Sequence, residues 1–411
     1  MNDLENALRE IFEKYNEQMQ GKKIFLFGCS LETSVLIEYF KAKKEIAAIL
    51  DNHKRKEKTR WQDVEVRMPE YCLAYPYDYC VIIWSVYAEE MFDQLIDIGC
   101  KRESIIRIDI CRDSEEFLDY KMRYMESAYT IYEGLVKNHG NSLFLIAPRA
   151  SGDTYIGLSH IKAWKEKYQI TESVVVVGSA GNLLDLLVLF HYKDYEILKE
   201  DERRKLIFLF SLMGEKIHLK MIAPWELNIR NSFFPHEGKS ITFVDKFKYE
   251  VFQLSNNDRA EYPQYRKMEE KADYVVLAPY AYSTPAPNLS IGFWEKLTKK
   301  LVDKNYKVYT VGYNNREPAV KGTEEVRFSY KDAGTILGKS QGFISARSGL
   351  CDIVHNVWCR QFVLFSNRKR PFATSFYGMK ENYWDYRGEE ICCDDLPEEK
   401  IINMIIERLR Q

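Results

Sequence analysis

Several absences narrow this chain before any motif does. No window is apolar enough to read as a membrane span. The nearest, residues 174–190, is interrupted by Gly178, Gly181, Asn182 and Asp185 and reads as a buried strand followed by a core helix. The opening residues, MNDLENALREIFEKY, carry charge throughout and lack the apolar core of a signal peptide, so the cytoplasm is the expected compartment. An excess of one charge is also missing: Lys plus Arg number 59 against 61 for Asp plus Glu, a net −2, which argues against nucleic acid as a partner. Nine cysteines, among them the adjacent Cys392-Cys393, form neither paired zinc spacings nor a regular framework and read as reduced thiols. No cluster of His, Asp and Glu has metal-ligand spacing, and short-period repeats are absent.

The 411 residues, 46% of them hydrophobic, are too many for one ordinary core and predict two or three domains. Strands alternate with helices along most of the chain, which is the pattern of parallel α/β layers. After an amphipathic helix over residues 3–20, residues 22–28 read as a buried strand ending at a glycine turn. A helix over 32–41 follows, then strands over 46–50 and 79–84, giving a Rossmann-like module over residues 1–111. Asp51 lies where an acidic residue meets a ribose in dinucleotide sites. The turn, however, reads Gly28-Cys29-Ser30-Leu31-Glu32-Thr33, without the second and third glycines, and the carboxylate of Glu32 would repel a pyrophosphate. A docking or nucleotide-sensing role fits this module better than a redox-cofactor site.

A helical linker is expected over residues 112–140, followed by two further α/β series over 141–271 and 272–411. In the first of these, a strand over 142–147, a helix over 155–168 and a strand over 173–177 are followed by a strand-like stretch at 240–244. The second has strands at 274–278, 307–312 and 361–365, helices at 293–304, 330–337 and 401–409, and a strand entering the polar turn at 345–349. The fold class expected is therefore α/β, with three Rossmann-like αβα units, the last two facing each other.

Two turns carry the candidate chemistry. In GFISARSGLCDIVHNV, residues 342–357, an apolar run enters Arg347-Ser348-Gly349 and leaves with helical spacing. Ser348 suits an N-cap, Gly349 permits close backbone approach, and Arg347 offers a permanently charged fork to phosphate oxygens. A capped turn with a surface arginine is the plainer reading of the same residues. The second turn is Ser151-Gly152-Asp153. There Asp153 either caps a helix starting at Thr154 or serves as a general base.

"LFLIAPRASGDTYIGLSHIKAW", "VVLAPYAYSTPAPNLSIGFWEKLTKKLVDKNYKVYTVG" and "YKDAGTILGKSQGFISARSGLCDIVHNVWCRQFVLFS" resemble, in this order, segments of the lipopolysaccharide heptosyltransferase family. The first module, with "IFLFG", "AAILDN" and "MPEYCLAYPYDYCVIIW", resembles the Rossmann-like modules of bacterial surface-polysaccharide enzymes. The heptosyltransferase resemblance implies the GT-B fold, a nucleotide-sugar donor, a glycan or glycolipid acceptor, inversion at the anomeric carbon, and no metal or other cofactor. It assigns Asp153 as base, with Gly152 on the acceptor side, and puts Ser348 and Gly349 at the donor; Arg347 and Asp352, which depart from the family pattern, are expected to neutralise the donor diphosphate and to hydrogen-bond its sugar or ribose. Ser283 and Thr284 are either phosphate contacts or plain turn residues. His236 is either a backup base or acceptor contact, or an idle loop histidine.

The family usually has aspartate where this chain has Arg347, and histidine where it has Asp352. Such a change keeps the transferase class and counts against heptose as the donor sugar. It also opens a rival reading, a non-catalytic nucleotide- or glycan-binding protein that keeps the fold. A lipid-linked acceptor would bring peripheral membrane contact.

Overall fold

The computed structural model describes residues 2–40, 43–53, 57, 60–61, 64–75, 78–85, 87–108, 115–179, 182–223, 242–281, 289–312, 317–366 and 378–410. The chain divides into two compact units, Met1–Ser127 and Ala128–Gln411.

In the first unit, helices α1 (Asn2–Lys14) and α2 (Asn16–Met19) lead into β1 (Lys23–Phe27), α3 (Leu31–Phe40), β2 (Ile46–Leu50), β3 (Arg60–Trp61), β4 (Val64–Arg67), β5 (Tyr79–Ile83), α4 (Ala88–Asp97) and β6 (Ile105–Arg107). The sheet order is β3-β4-β2-β1-β5-β6, parallel except for the β3–β4 pair. Side chains of β1 alternate between two cores, as the pleat requires. Ile24 and Leu26 pack with Leu8, Phe12 and Leu36, whereas Phe25 and Phe27 pack with Cys72, Phe92 and Leu95. Helix α5 (Glu115–His139) crosses the boundary between the units.

The second unit continues with β7 (Leu143–Ile146), α6 (Ser151–Tyr168), β8 (Ser173–Gly178), α7 (Asn182–Leu189), β9 (Tyr195–Leu198), α8 (Glu200–Met213), β10 (Leu219–Met221) and the short α9 (Phe243–Lys246). Its second half holds β11 (Tyr274–Ala278), α10 (Ile291–Val302), β12 (Lys307–Val311), β13 (Glu324–Val326), α11 (Tyr330–Lys339), β14 (Gly342–Ala346), α12 (Gly349–Val354), β15 (Arg360–Phe365), α13 (Met379–Asn382), β16 (Gly388–Cys392) and α14 (Glu398–Arg410). The first half has the parallel order β10-β7-β8-β9 and the second the parallel order β13-β12-β11-β14-β15-β16. Three parallel α/β sheets are thus present, as the alternation of elements predicts.

The two halves share one core. Leu145, Tyr155, Ile156 and Val175 of the first half pack in the same cluster as Val276, Phe343, Ile353 and Val354 of the second. Alternate residues of the second sheet, Val275, Leu277, Ile344 and Phe362, turn away to a separate core with Phe293, Leu297, Ile401 and Ile405 of α10 and α14. Helix α6 lies in the shared layer, which is why it is buried without a break from Thr154 to Ile161 and lacks a polar face over those turns.

Two local expectations need correction. Within 240–244, the described residues Phe243 and Val244 open a helix and not a strand: Thr242 accepts from the Asp245 N–H while the Asp245 carboxylate accepts from the Thr242 N–H. This reciprocal cap outweighs the β-branched composition of the stretch. Helix α6 begins at Ser151, not at Thr154, with Ala150 as its N-cap. Asp153 is therefore a first-turn residue and does not occupy the cap.

Candidate functional site

Counted from β11, the second sheet of the larger unit has the order 3-2-1-4-5-6, and its strand order reverses between β11 and β14. Ligands of such sheets bind in the crevice at that reversal, outside the carboxyl ends of the strands. The turn after β14 is Arg347-Ser348, shorter than the expected 345–349, because Ser345 and Ala346 still pair with Val363 and Leu364 of β15 and Gly349 opens α12. Ser283 and Thr284, beyond β11, lie outside the described residues, as does His236.

Ser348 occupies the N-cap of α12 with an extended backbone, φ −150° and ψ 173°, but its hydroxyl makes no capping bond. Helix α12 has only six residues, so its dipole is small. Gly349 follows at its start, and against it lies Gly152, buried in the first turn of α6. A Cβ added to Gly152 would stand 2.7 Å from the Gly349 Cα, and one added to Gly349 would stand 3.0 Å from the Gly152 nitrogen. Glycine is needed at both places because backbone touches backbone. The sequence-derived candidates of the two halves are thereby brought together: Gly152 and Asp153 on one side, Arg347, Ser348 and Gly349 on the other. Asp153 is partly exposed at this junction.

Arg347 is not a surface arginine. It is 4% exposed, as is Asp352. Its fork donates to both oxygens of the Asp352 carboxylate, Nη1 to Oδ2 at 2.8 Å and Nη2 to Oδ1 at 2.7 Å, and Nη1 also donates to the Ser348 carbonyl at 2.7 Å. Burial acts to lower the Arg347 pKa, and the Asp352 charge overcomes this and holds it above its ordinary value. The Tyr383 hydroxyl donates to Asp352 Oδ1 at 2.9 Å. Arg347 and Asp352, two of the residues expected at the donor, are therefore engaged with each other, and the pair carries no net charge.

Below this pair, the His355 Nδ1 lies 2.8 Å from the Asp352 carbonyl and its Nε2 lies 3.0 Å from Asp385 Oδ1. Burial raises Asp385, but hydrogen bonds from His355, Asn356 and Gln264 outweigh it and bring the carboxyl down to about 2. The ring of His355 is stacked on Tyr383 at 4.1 Å.

Sequence reasoning missed three residues at the junction. Tyr330, the first residue of α11, donates its hydroxyl to Ser151 Oγ at 2.9 Å and its backbone N–H to Asp185 Oδ2 at 3.2 Å. Asn182, at the start of α7, also reaches that hydroxyl. Tyr383 is the second omission; it follows α13, in a run of aromatic and acidic residues with no local period. Asp185 is the third, since an acid in an otherwise apolar helix was read only as a reason against a membrane span.

In the smaller unit, the Asp51 carboxylate accepts from the Cys29 N–H at 3.1 Å and the His53 N–H at 2.8 Å. It ties the turn after β1 to the end of β2 and is 7% exposed. Gly28 has φ +97°, which the turn requires. Among the described residues, no helix is long and apolar enough to cross a membrane.

Comparison with known proteins gives a family match in the smaller unit: residues 20–106 match the family described as C2185-like, N-terminal. No curated protein matches the chain. Among solved structures, the chain is similar to the ADP-heptose LPS heptosyltransferase II of E. coli at 14% identity, with TM-score 0.45, over 66% of this chain and 99% of that one. It is similar to E. coli heptosyltransferase WaaC with ADP at 12% identity, TM-score 0.45, over 65% and 99%. A glycosyl transferase family 9 protein from Veillonella parvula DSM 2008 is similar at 10% identity, TM-score 0.44, over 65% and 97%.

Proposed function

We propose that the larger unit is a glycosyltransferase that moves a sugar from a nucleotide-sugar donor to a bacterial surface glycan or glycolipid, with inversion and without a metal. The observation that carries this reading is the meeting of Gly152 with Gly349. It sets the partly exposed Asp153 beside the turn at the strand-order reversal of the second sheet, where a donor is expected. The half at 141–271 takes the acceptor and the half at 272–411 the donor. The Asp153 carboxylate accepts the proton of an acceptor hydroxyl as that oxygen bonds to the anomeric carbon. The bond from that carbon to the diphosphate breaks, and the nucleoside diphosphate leaves from the opposite face.

Arg347 enters this scheme bound to Asp352. For its fork to meet a diphosphate the bidentate contact has to open, which frees Asp352 for a hydroxyl of the donor sugar or ribose. The departures at these two positions from the heptosyltransferase pattern count against heptose as the sugar.

The Arg347–Asp352 pair is also the observation that favours the second reading, a non-catalytic protein binding a nucleotide or glycan. A pair already satisfied has less to offer a developing charge. The test is turnover across a panel of UDP-, GDP-, ADP- and CMP-sugars, read as released nucleotide, with calorimetric titration of the corresponding nucleotides. Release with at least one donor supports the transferase. Binding of a nucleotide with no turnover of any donor supports the second reading.

A further inference from the structure

Tyr330 bonds to the opposite half of the larger unit from both its side chain and its backbone. Its hydroxyl donates to Ser151 Oγ at 2.9 Å, in the same helical turn as Gly152 and Asp153. Its backbone N–H, the first of α11, donates to Asp185 Oδ2 at 3.2 Å on α7. Ser329, at the N-cap of α11, makes no capping bond of its own, so a carboxylate from the other half satisfies an N–H at this helix start. Tyr330 is 5% exposed and belongs to the shared core. One residue thus fixes the starts of α6 and α11 at the same junction where Gly152 touches Gly349.

We propose that Tyr330 is a positioning residue: through Ser151 it holds the first turn of α6, and with it Asp153, at a fixed place against the Arg347-Ser348-Gly349 turn. This rests on the reading of the larger unit as a glycosyltransferase with Asp153 as base. Proton transfer and attack need the reacting atoms within a narrow range, and a displacement on the order of 1 Å is worth up to about a hundredfold in rate. A hydroxyl that carries no part of the chemistry can control rate in this way while leaving donor binding alone.

The experiment compares Tyr330→Phe, Ser151→Ala and the double variant. Phenylalanine keeps the ring in the core, so the variant folds, which its melting curve checks. Tyr330→Phe is expected to lower kcat at least about tenfold, with donor KM changed by less than about twofold. Ser151→Ala removes its bond to Tyr330, and Tyr330→Phe removes that same bond together with the Asn182 contact, so the double variant is expected to be no slower than Tyr330→Phe. Unchanged kcat in Tyr330→Phe, or single effects that multiply in the double, would overturn the proposal. If the wild-type chain turns over no donor, the transferase reading fails by itself. The positioning claim is then decided by amide exchange at Thr154 and Tyr155 in the full chain. Exchange accelerated about tenfold or more by Tyr330→Phe, with β14 unchanged, supports it; equal exchange overturns it.

Discussion

Gly152 and Gly349 meet backbone to backbone, with 2.7 Å from a Cβ placed on the first to the Cα of the second. Neither partner is a side-chain tip that could rotate aside. Gly152→Ala should therefore force α6 and α12 apart, at a cost of about 1–3 kcal/mol from overpacking. A lower denaturation midpoint with an unchanged slope is the expected result. An unshifted midpoint would mean that the two turns do not touch in solution.

The Arg347–Asp352 pair makes a second, opposite kind of demand. Asp352→Ala leaves a buried guanidinium without its counter-charge and the Tyr383 hydroxyl without its acceptor. About 3–5 kcal/mol of lost stability is expected. Replacing both partners together, Arg347→Met with Asp352→Leu, should cost much less, because no charge is left stranded. Urea unfolding of the two variants beside wild type checks this, and equal losses in the single and double variants would contradict it.

Acid stability should report on His160. Burial lowers its pKa from 6.5 to about 4. Nδ1 faces the Ile156 carbonyl at 2.9 Å, and Nε2 is buried without a hydrogen-bond partner. The folded chain holds the ring neutral while the unfolded chain protonates it. Stability therefore falls as pH drops through the window from 6.5 to 4, by up to about 1.4 kcal/mol per pH unit and about 3 kcal/mol in all. The gap in stability between wild type and His160→Gln should narrow steadily over that window. Parallel profiles would count against a neutral His160.

The parallel strands were legible because both of their faces are buried. Runs such as residues 274–278 and 46–50 are apolar throughout and coincide with β11 and β2. The edge strands β9, β13 and β16 escaped notice because they are short and half exposed, with Tyr195, Ile197 and Glu324 facing solvent. The site was legible in part for a similar reason. Turns announce themselves through Gly, Ser and Asp, so Gly152, Asp153, Ser348 and Gly349 could be picked out locally. What those residues meet is set by long-range packing. No local pattern ties Tyr330 to Ser151 or closes Arg347 onto Asp352.

The central claim is that Asp153 takes a proton from an acceptor hydroxyl during sugar transfer. Its most direct test is the rate of nucleotide release and sugar transfer by Asp153→Asn beside wild type, with whichever donor of the panel turns over. Asparagine nearly keeps the size and the place in the first turn of α6 but cannot accept the proton. A loss of about 10²–10⁴ in kcat with donor binding retained is expected. Transfer at the wild-type rate by Asp153→Asn would contradict it.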